Sequence, residues 1–167
     1  MKNRTKYILA IVTVIVVAAV AIPLYVKSQH TTFRSEVTDH MTMLDKIELL
    51  QIRKITRISS AEAEEVQFRD QKGIQNVLKL FKDVELKKVQ EANPFNDLPH
   101  YYEIRIVINK EGRFTEHFGV WVYSENTIST YNGAATRDAF GDFEITNNEF
   151  NFNELERIFN KLKEEAA

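Results

Sequence analysis

The chain has 167 residues, with 22 Lys or Arg against 24 Asp or Glu, for a net charge of −2. That length suits one domain by the usual range of roughly 100–200 residues, and a hydrophobic content of 44% excludes an intrinsically disordered chain. Cysteine is absent, which excludes disulfide scaffolds, thiolate-bound zinc, iron–sulfur clusters, thiol catalysis and a cysteine-linked lipid anchor.

The first element is an apolar run. Tyr7 to Val26 (YILAIVTVIVVAAVAIPLYV) has no charged residue. Twenty residues at a helical rise of about 1.5 Å span about 30 Å, the thickness of a bilayer's hydrocarbon core. Tyr7 and Tyr25 stand at the two ends, where amphipathic rings favour the interface. Lys2, Arg4 and Lys6 precede the run, so the positive-inside rule places residues 1–6 in the cytoplasm and everything after Lys27 outside. A cleaved signal peptide would have an apolar core of about 7–15 residues before a small-x-small site. Ala19-Val20-Ala21 offers such a site, but the run continues through Ile22, Leu24, Tyr25 and Val26. The expectation is an uncleaved signal anchor over 7–26, in contact with membrane lipid.

Charge divides the chain in the same place. Residues 1–27 carry four basic residues and no acidic one. The remainder carries 18 basic and 24 acidic residues, a net −6, which disfavours nucleic acid or an anionic lipid surface as partner.

After the anchor, residues 27–51 read as a juxtamembrane linker and a short helix. Val37, Met41, Leu44 and Ile47 recur at helical spacing, predicting a helix over Glu36–Leu49 with Ser35 as cap; a strand over its later part is the competing reading. Residues 52–167 form the expected domain. Ile52–Ile58 and Glu65–Arg69 read as strands joined by a turn over Ser59–Glu64. Asp70 caps a helix running to Lys82, with Ile74, Val77, Leu78 and Phe81 on one stripe. Val84–Gln90 is a strand, and Ala92–His100, with two prolines, a loop. Tyr102, Ile104, Ile106 and Ile108 alternate with Glu103, Arg105 and Val107, the clearest half-buried strand. A hairpin turn over 110–113 leads to a strand over Phe114–Tyr123, then a third over Thr127–Tyr131. Asn132-Gly133 is a turn, and a short strand follows near Phe143–Thr146. Leu155, Ile158, Phe159 and Leu162 mark a last amphipathic helix over Asn153–Glu165, capped by Asn151 or Asn153. The fold class is α+β: a transmembrane helix, then a mostly antiparallel sheet (strand-strand-helix-strand, then a three-stranded meander) covered on one face by two helices.

This order of elements, carried by IRKITRISSAEAEEVQFRDQKGIQNVLKLFKDVELKKV, the meander YYEIRIVINKEGRFTEHFGVWVYSENTISTYNG and the terminal NELERIFNKL helix, resembles small extracytoplasmic domains of uncharacterised proteins and lipoproteins in Gram-positive bacteria with AT-rich genomes. The resemblance covers about Ile52 to Leu162. It implies an envelope location. Members of that group commonly carry a lipobox cysteine, which this chain lacks, and the group has no agreed activity, so no catalytic residue is carried over.

Chemical motifs are sparse. The histidines (His30, His40, His100, His117) have no zinc-pair spacing, and no H-E-x-x-H occurs. His117 reads as a surface residue on the strand face opposite Phe118. Asp138, Asp142, Glu144 and Glu149 cluster around Gly141, and Asp142 and Glu144 share a face if that segment is a strand. They read first as a solvated acidic loop, then as a calcium site, and last as the carboxylates of an envelope hydrolase. No serine-nucleophile motif or phosphate loop is present, and no cofactor is expected.

Aromatic residues stand out more. Trp121 and Tyr123 alternate with Phe118, Val120 and Val122, so they face away from the helices. With Tyr131, Phe140 and Phe143 they form a candidate partner surface; burial under the last loop is the competing reading. The functional expectation is a non-enzymatic, membrane-tethered module that binds or regulates another envelope protein. A sensor of a small ligand, with a pocket beside 132–146, is the alternative.

Overall fold

The structure is a computed structural model that describes residues 2–40, 46–56, 59–90, 98–110, 114–133 and 139–166. It divides into two compact units, Met1–His30 and Thr31–Ala167.

The first unit is one helix, α1 (Lys2–Gln29), with Pro23 inside it. Its stretch Ile11–Gln29 is long and apolar enough to cross a membrane, and none of that stretch is buried.

The second unit is α+β. An eight-stranded sheet runs in the order β1-β4-β8-β7-β6-β5-β2-β3. Its strands are β1 (His30–Thr32), β2 (Lys46–Thr56), β3 (Ser59–Phe68), β4 (Glu85–Val89), β5 (His100–Lys110), β6 (Phe114–Val122), β7 (Thr127–Asn132) and β8 (Phe140–Ile145). Pairings from β4 through to β3 are all antiparallel. The helices are α2 (Phe33–Glu36), α3 (Gln71–Leu78, extended by a 3-10 turn over Lys79–Phe81) and α4 (Phe152–Ala166).

Alternation builds the core. Leu50 and Ile52 of β2, Tyr102, Ile104, Ile106 and Ile108 of β5, Phe118, Val120 and Val122 of β6, and Phe143 and Ile145 of β8 share one face of the sheet and are buried. Ile74 and Val77 of α3, and Leu155 and Phe159 of α4, close on that face. The helix caps are local. The Asp70 carboxylate accepts from the Gly73 N–H at 2.7 Å, and the Asn151 side chain accepts from the Glu154 N–H at 3.0 Å. Gly73 has no room for a side chain, because the Phe68 ring occupies the place where a Cβ would stand.

Two expected elements differ. The helix expected over Glu36–Leu49 is the one-turn α2, which starts three residues earlier because the Thr32 hydroxyl, rather than Ser35, accepts an N–H, that of Ser35. From Lys46 the chain is already strand, as the competing reading had it, because Ile47, Leu49 and Leu50 pair with Ile108, Val107 and Ile106. Met41 and Leu44 lie outside the described residues. The turn expected over Ser59–Glu64 is instead the first part of β3: Lys54 pairs with Glu64 and Thr56 with Ser59, so the hairpin is longer than its weak strand formers suggest. Residues 27–51 also do more than link, since Phe33, Val37 and Leu50 belong to the core.

Candidate binding face

The opposite face of the sheet is not covered by α3 or α4. Strand register lays its side chains out in rows. One row crosses the sheet as Glu65, Arg53, Glu103, Trp121, Ser129 and Asp142. The next crosses as Gln67, Gln51, Arg105, Gly119, Tyr131 and Phe140.

Gly119 leaves a gap in the second row, and the Trp121 indole lies over it. Its Cη2 is 3.3 Å from the position a Cβ on Gly119 would take. Phe140 stacks beside Trp121 with ring centroids 6.1 Å apart and 29° between planes, and its ring is 4.8 Å from that of Tyr131. Phe140 is 69% exposed. Every other exposed large hydrophobic among the described residues belongs to α1. A shallow groove of about 350 Å³ results, walled by Glu103, Arg105, His117, Trp121, Tyr131 and Phe140.

Beside the rings, Arg53 and Glu103 neutralise one another, whereas Arg105 is bonded to an uncharged imidazole. Arg53 Nη1 donates to Glu103 Oε2 at 2.9 Å, and the Arg53 Nε also lies 3.9 Å from Glu65. The Arg105 guanidinium donates to the His117 ring at 3.2 Å, which needs a ring nitrogen without a proton. Burial, and then the Arg105 charge, hold the His117 pKa below its ordinary value.

Of the five residues expected to form a partner surface, Trp121, Tyr131 and Phe140 come together on this face. Two do not belong to it as exposed groups. Phe143 is a correction: the side-chain period of two that turns Phe140 outward turns Phe143 into the core, where it is fully buried. Tyr123 is the second correction. It is 4% exposed just past the end of β6, packed 5.7 Å from Tyr101, with its hydroxyl bonded to Ser129 and its pKa raised chiefly by burial. The expectation that Trp121 is either buried or exposed resolves between the two, since the indole is half-buried.

Among the described acidic residues of the 138–149 segment, Asp142 and Glu144 have separate partners. Asp142 accepts from the Ser129 hydroxyl, while Glu144 lies 3.9 Å from Lys87. Asp138 lies outside the described residues. Among the described residues no group of three or more His, Asp or Glu side chains is placed to hold a metal ion.

A second polar cluster sits at the far end of β5. Glu156 on α4 accepts from Lys54 Nζ and from the Tyr102 hydroxyl, each at 3.1 Å. His100 Nε2 is 3.5 Å from the same carboxylate, is buried, and makes no hydrogen bond among the described residues. The Lys54 hydrogen bond holds Glu156 below the usual carboxylate range, and burial followed by Lys54 lowers His100. Burial and Glu156 push the Tyr102 hydroxyl up. Sequence reading did not find this cluster, because its members lie up to 102 positions apart. It also missed Glu103 and Arg105 as groove walls. The alternation that puts them opposite Ile104 and Ile106 was visible, but their placement beside Trp121 needs the hairpin register Glu103↔Trp121.

Comparison with protein-family models, curated proteins and solved structures finds no match to this chain.

Proposed function

We propose that this chain is a single-pass membrane protein of a bacterial cell envelope, anchored by residues 7–26 with its N-terminus in the cytoplasm. Its outer domain is a non-enzymatic recognition module that works through the open face of the sheet. The observation that carries this reading is the attachment of a folded, acidic domain to an apolar helix exposed on every side. Basic residues Lys2, Arg4 and Lys6 set the orientation. The resemblance to extracytoplasmic domains of Gram-positive proteins points the same way.

What the face recognises divides into two readings. A protein partner was expected on five aromatic residues, of which three remain at the surface. The groove of about 350 Å³ over Gly119, walled in part by Tyr131 and Phe140, favours the alternative, a compact ligand, since small-molecule sites start at roughly 300 Å³.

Topology is tested by adding protease to cells stripped of wall, with tags on both termini. Loss of the C-terminal tag with protection of the N-terminal one is expected. Protection of the C-terminal domain overturns the outward orientation, and release of the chain from membranes by alkaline carbonate overturns the anchor.

A further inference from the structure

We infer that the groove over Gly119 binds an uncharged sugar residue of a glycan, stacked on the Trp121 and Phe140 rings. The inference rests on reading the open sheet face as the binding face. Three features of the groove select this ligand class.

First, its floor is aromatic. Gly119 supplies no side chain, so the Trp121 indole settles on the sheet, and Phe140 stacks beside it with 29° between the planes. A pyranose ring has one face of C–H groups, which carry partial positive charge. Aromatic faces carry the complementary negative quadrupole, and stacking also removes apolar area from water. Phe140 explains itself by this use, for it is 69% exposed and no other described residue outside α1 is an exposed large hydrophobic.

Second, the rim is polar but electrically balanced. Glu103 accepts from Arg53, and Arg105 donates to His117, so charge of either sign in the groove meets an opposing group. An anion at Arg105 has Glu103 beside it; a cation at Glu103 has Arg53 and Arg105 beside it. An uncharged polyhydroxyl ligand meets no such conflict. Its hydroxyls both donate and accept, and Arg105, His117 and Glu103 offer planar groups with spare hydrogen-bonding capacity to adjacent hydroxyls.

Third, the groove is small and open. At about 350 Å³ and lined by eight residues, it holds a short stretch of a chain passing across the sheet. A stable protein interface takes roughly 20–30 residues a side.

The test uses the full-length protein in a detergent without sugar headgroups. Trp121 is the single tryptophan, so its fluorescence reads the groove directly. Probes are the linear trisaccharides of N-acetylglucosamine, β-1,4-glucose and α-1,4-glucose, with inorganic phosphate as the charged control. At least one trisaccharide is expected to shift the emission saturably, with a dissociation constant of roughly millimolar or below. Salt leaves that constant nearly unchanged, and phosphate gives no shift. Phe140→Ser and Arg105→Ala each weaken the binding roughly tenfold while the melting temperature holds. Because Phe140 is exposed, its substitution separates lost binding from lost folding.

Absence of a saturable shift with all three sugars overturns the glycan inference, as does a shift that Phe140→Ser and Arg105→Ala leave intact. Retention of native envelope components by the full-length protein, compared with the Phe140→Ser variant, separates the two levels. If the sugars fail but retention depends on Phe140, the face binds something other than an uncharged glycan and the binding-face reading stands. If neither depends on Phe140, both are overturned.

Discussion

Trp121 and Gly119 sit two residues apart on β6, and the indole of the first occupies the space above the second, with its Cη2 3.3 Å and its Cζ3 3.4 Å from a would-be Cβ. The glycine is therefore the seat of the tryptophan. Alanine fits there only if the half-buried indole gives by a few tenths of an ångström. Valine does not fit without lifting the ring. Gly119→Val is expected to expose the indole, shifting its fluorescence to the red, and to cost roughly 1–3 kcal/mol through overpacking. An unchanged emission maximum would show that the ring does not rest on that position.

Phe140 and Phe143 provide a sharper contrast on one strand. Phe143 is fully buried and Phe140 is 69% exposed. Phe143→Ala should lower stability by about 3–5 kcal/mol, the range for a buried phenylalanine. Phe140→Ala should cost less than about 1 kcal/mol, as exposed positions usually do. Denaturant unfolding of the two variants checks the assignment of faces along β8.

Acid should weaken the fold in two steps. Both His100 and His117 have pKa values lowered from 6.5, His100 by burial and then Lys54, His117 by burial and then Arg105. Their neutral forms belong to the native state, so the stability they contribute is present above 6.5 and is lost as pH falls through their lowered values. Glu156 is lowered from 4.5, chiefly by the Lys54 hydrogen bond. Its contribution is present above 4.5 and is lost as pH falls through its native value. Thermal unfolding followed from neutrality down into the carboxylate range should show both declines. Glu156→Gln should flatten the second and cost roughly 1–2 kcal/mol at neutral pH, since Lys54 loses its charged acceptor.

Where the outer domain begins is open to a truncation test. Phe33 stacks on Phe81 with ring centroids 4.5 Å apart, Phe81 on Phe150 at 5.0 Å, and the Phe33 N–H donates to the Val84 carbonyl at 3.0 Å. A fragment starting at Ser28 should fold cooperatively. One starting at Thr38 loses Phe33 and Val37 and should be less stable by at least about 3 kcal/mol. Equal stability of the two fragments would mean that the segment before Thr38 is not part of the core.

Much of the architecture is legible residue by residue, and the reason is periodicity. The apolar run of α1, the 3.6-residue stripes of α3 and α4, and the alternation of Tyr102, Ile104, Ile106 and Ile108 each arise from one local rule: an element shows its pattern when one face is apolar. Caps at Asp70 and Asn151 are equally local, because the hydrogen bond spans three residues. The same reading fails where local preference is weak. Ser59 to Glu64 carries poor strand formers, yet pairing with β2 holds it extended. Phe33 lies in a polar stretch, and its role in the core shows only once Phe81 is brought against it.

The candidate site divides along the same line. Which aromatic residues the chain has, and that Trp121 faces away from Val120 and Val122, follow from the sequence and the strand's period of two. That β8 inserts between β7 and β4, turning Phe140 out beside Trp121 and Phe143 into the core, was decided by long-range pairing. A one-residue slip in that register would exchange the two rings. Sequence alone therefore determined the strongly periodic elements and their faces. Tertiary structure determined which faces meet, because strand order and register are set by contacts between residues far apart in the chain.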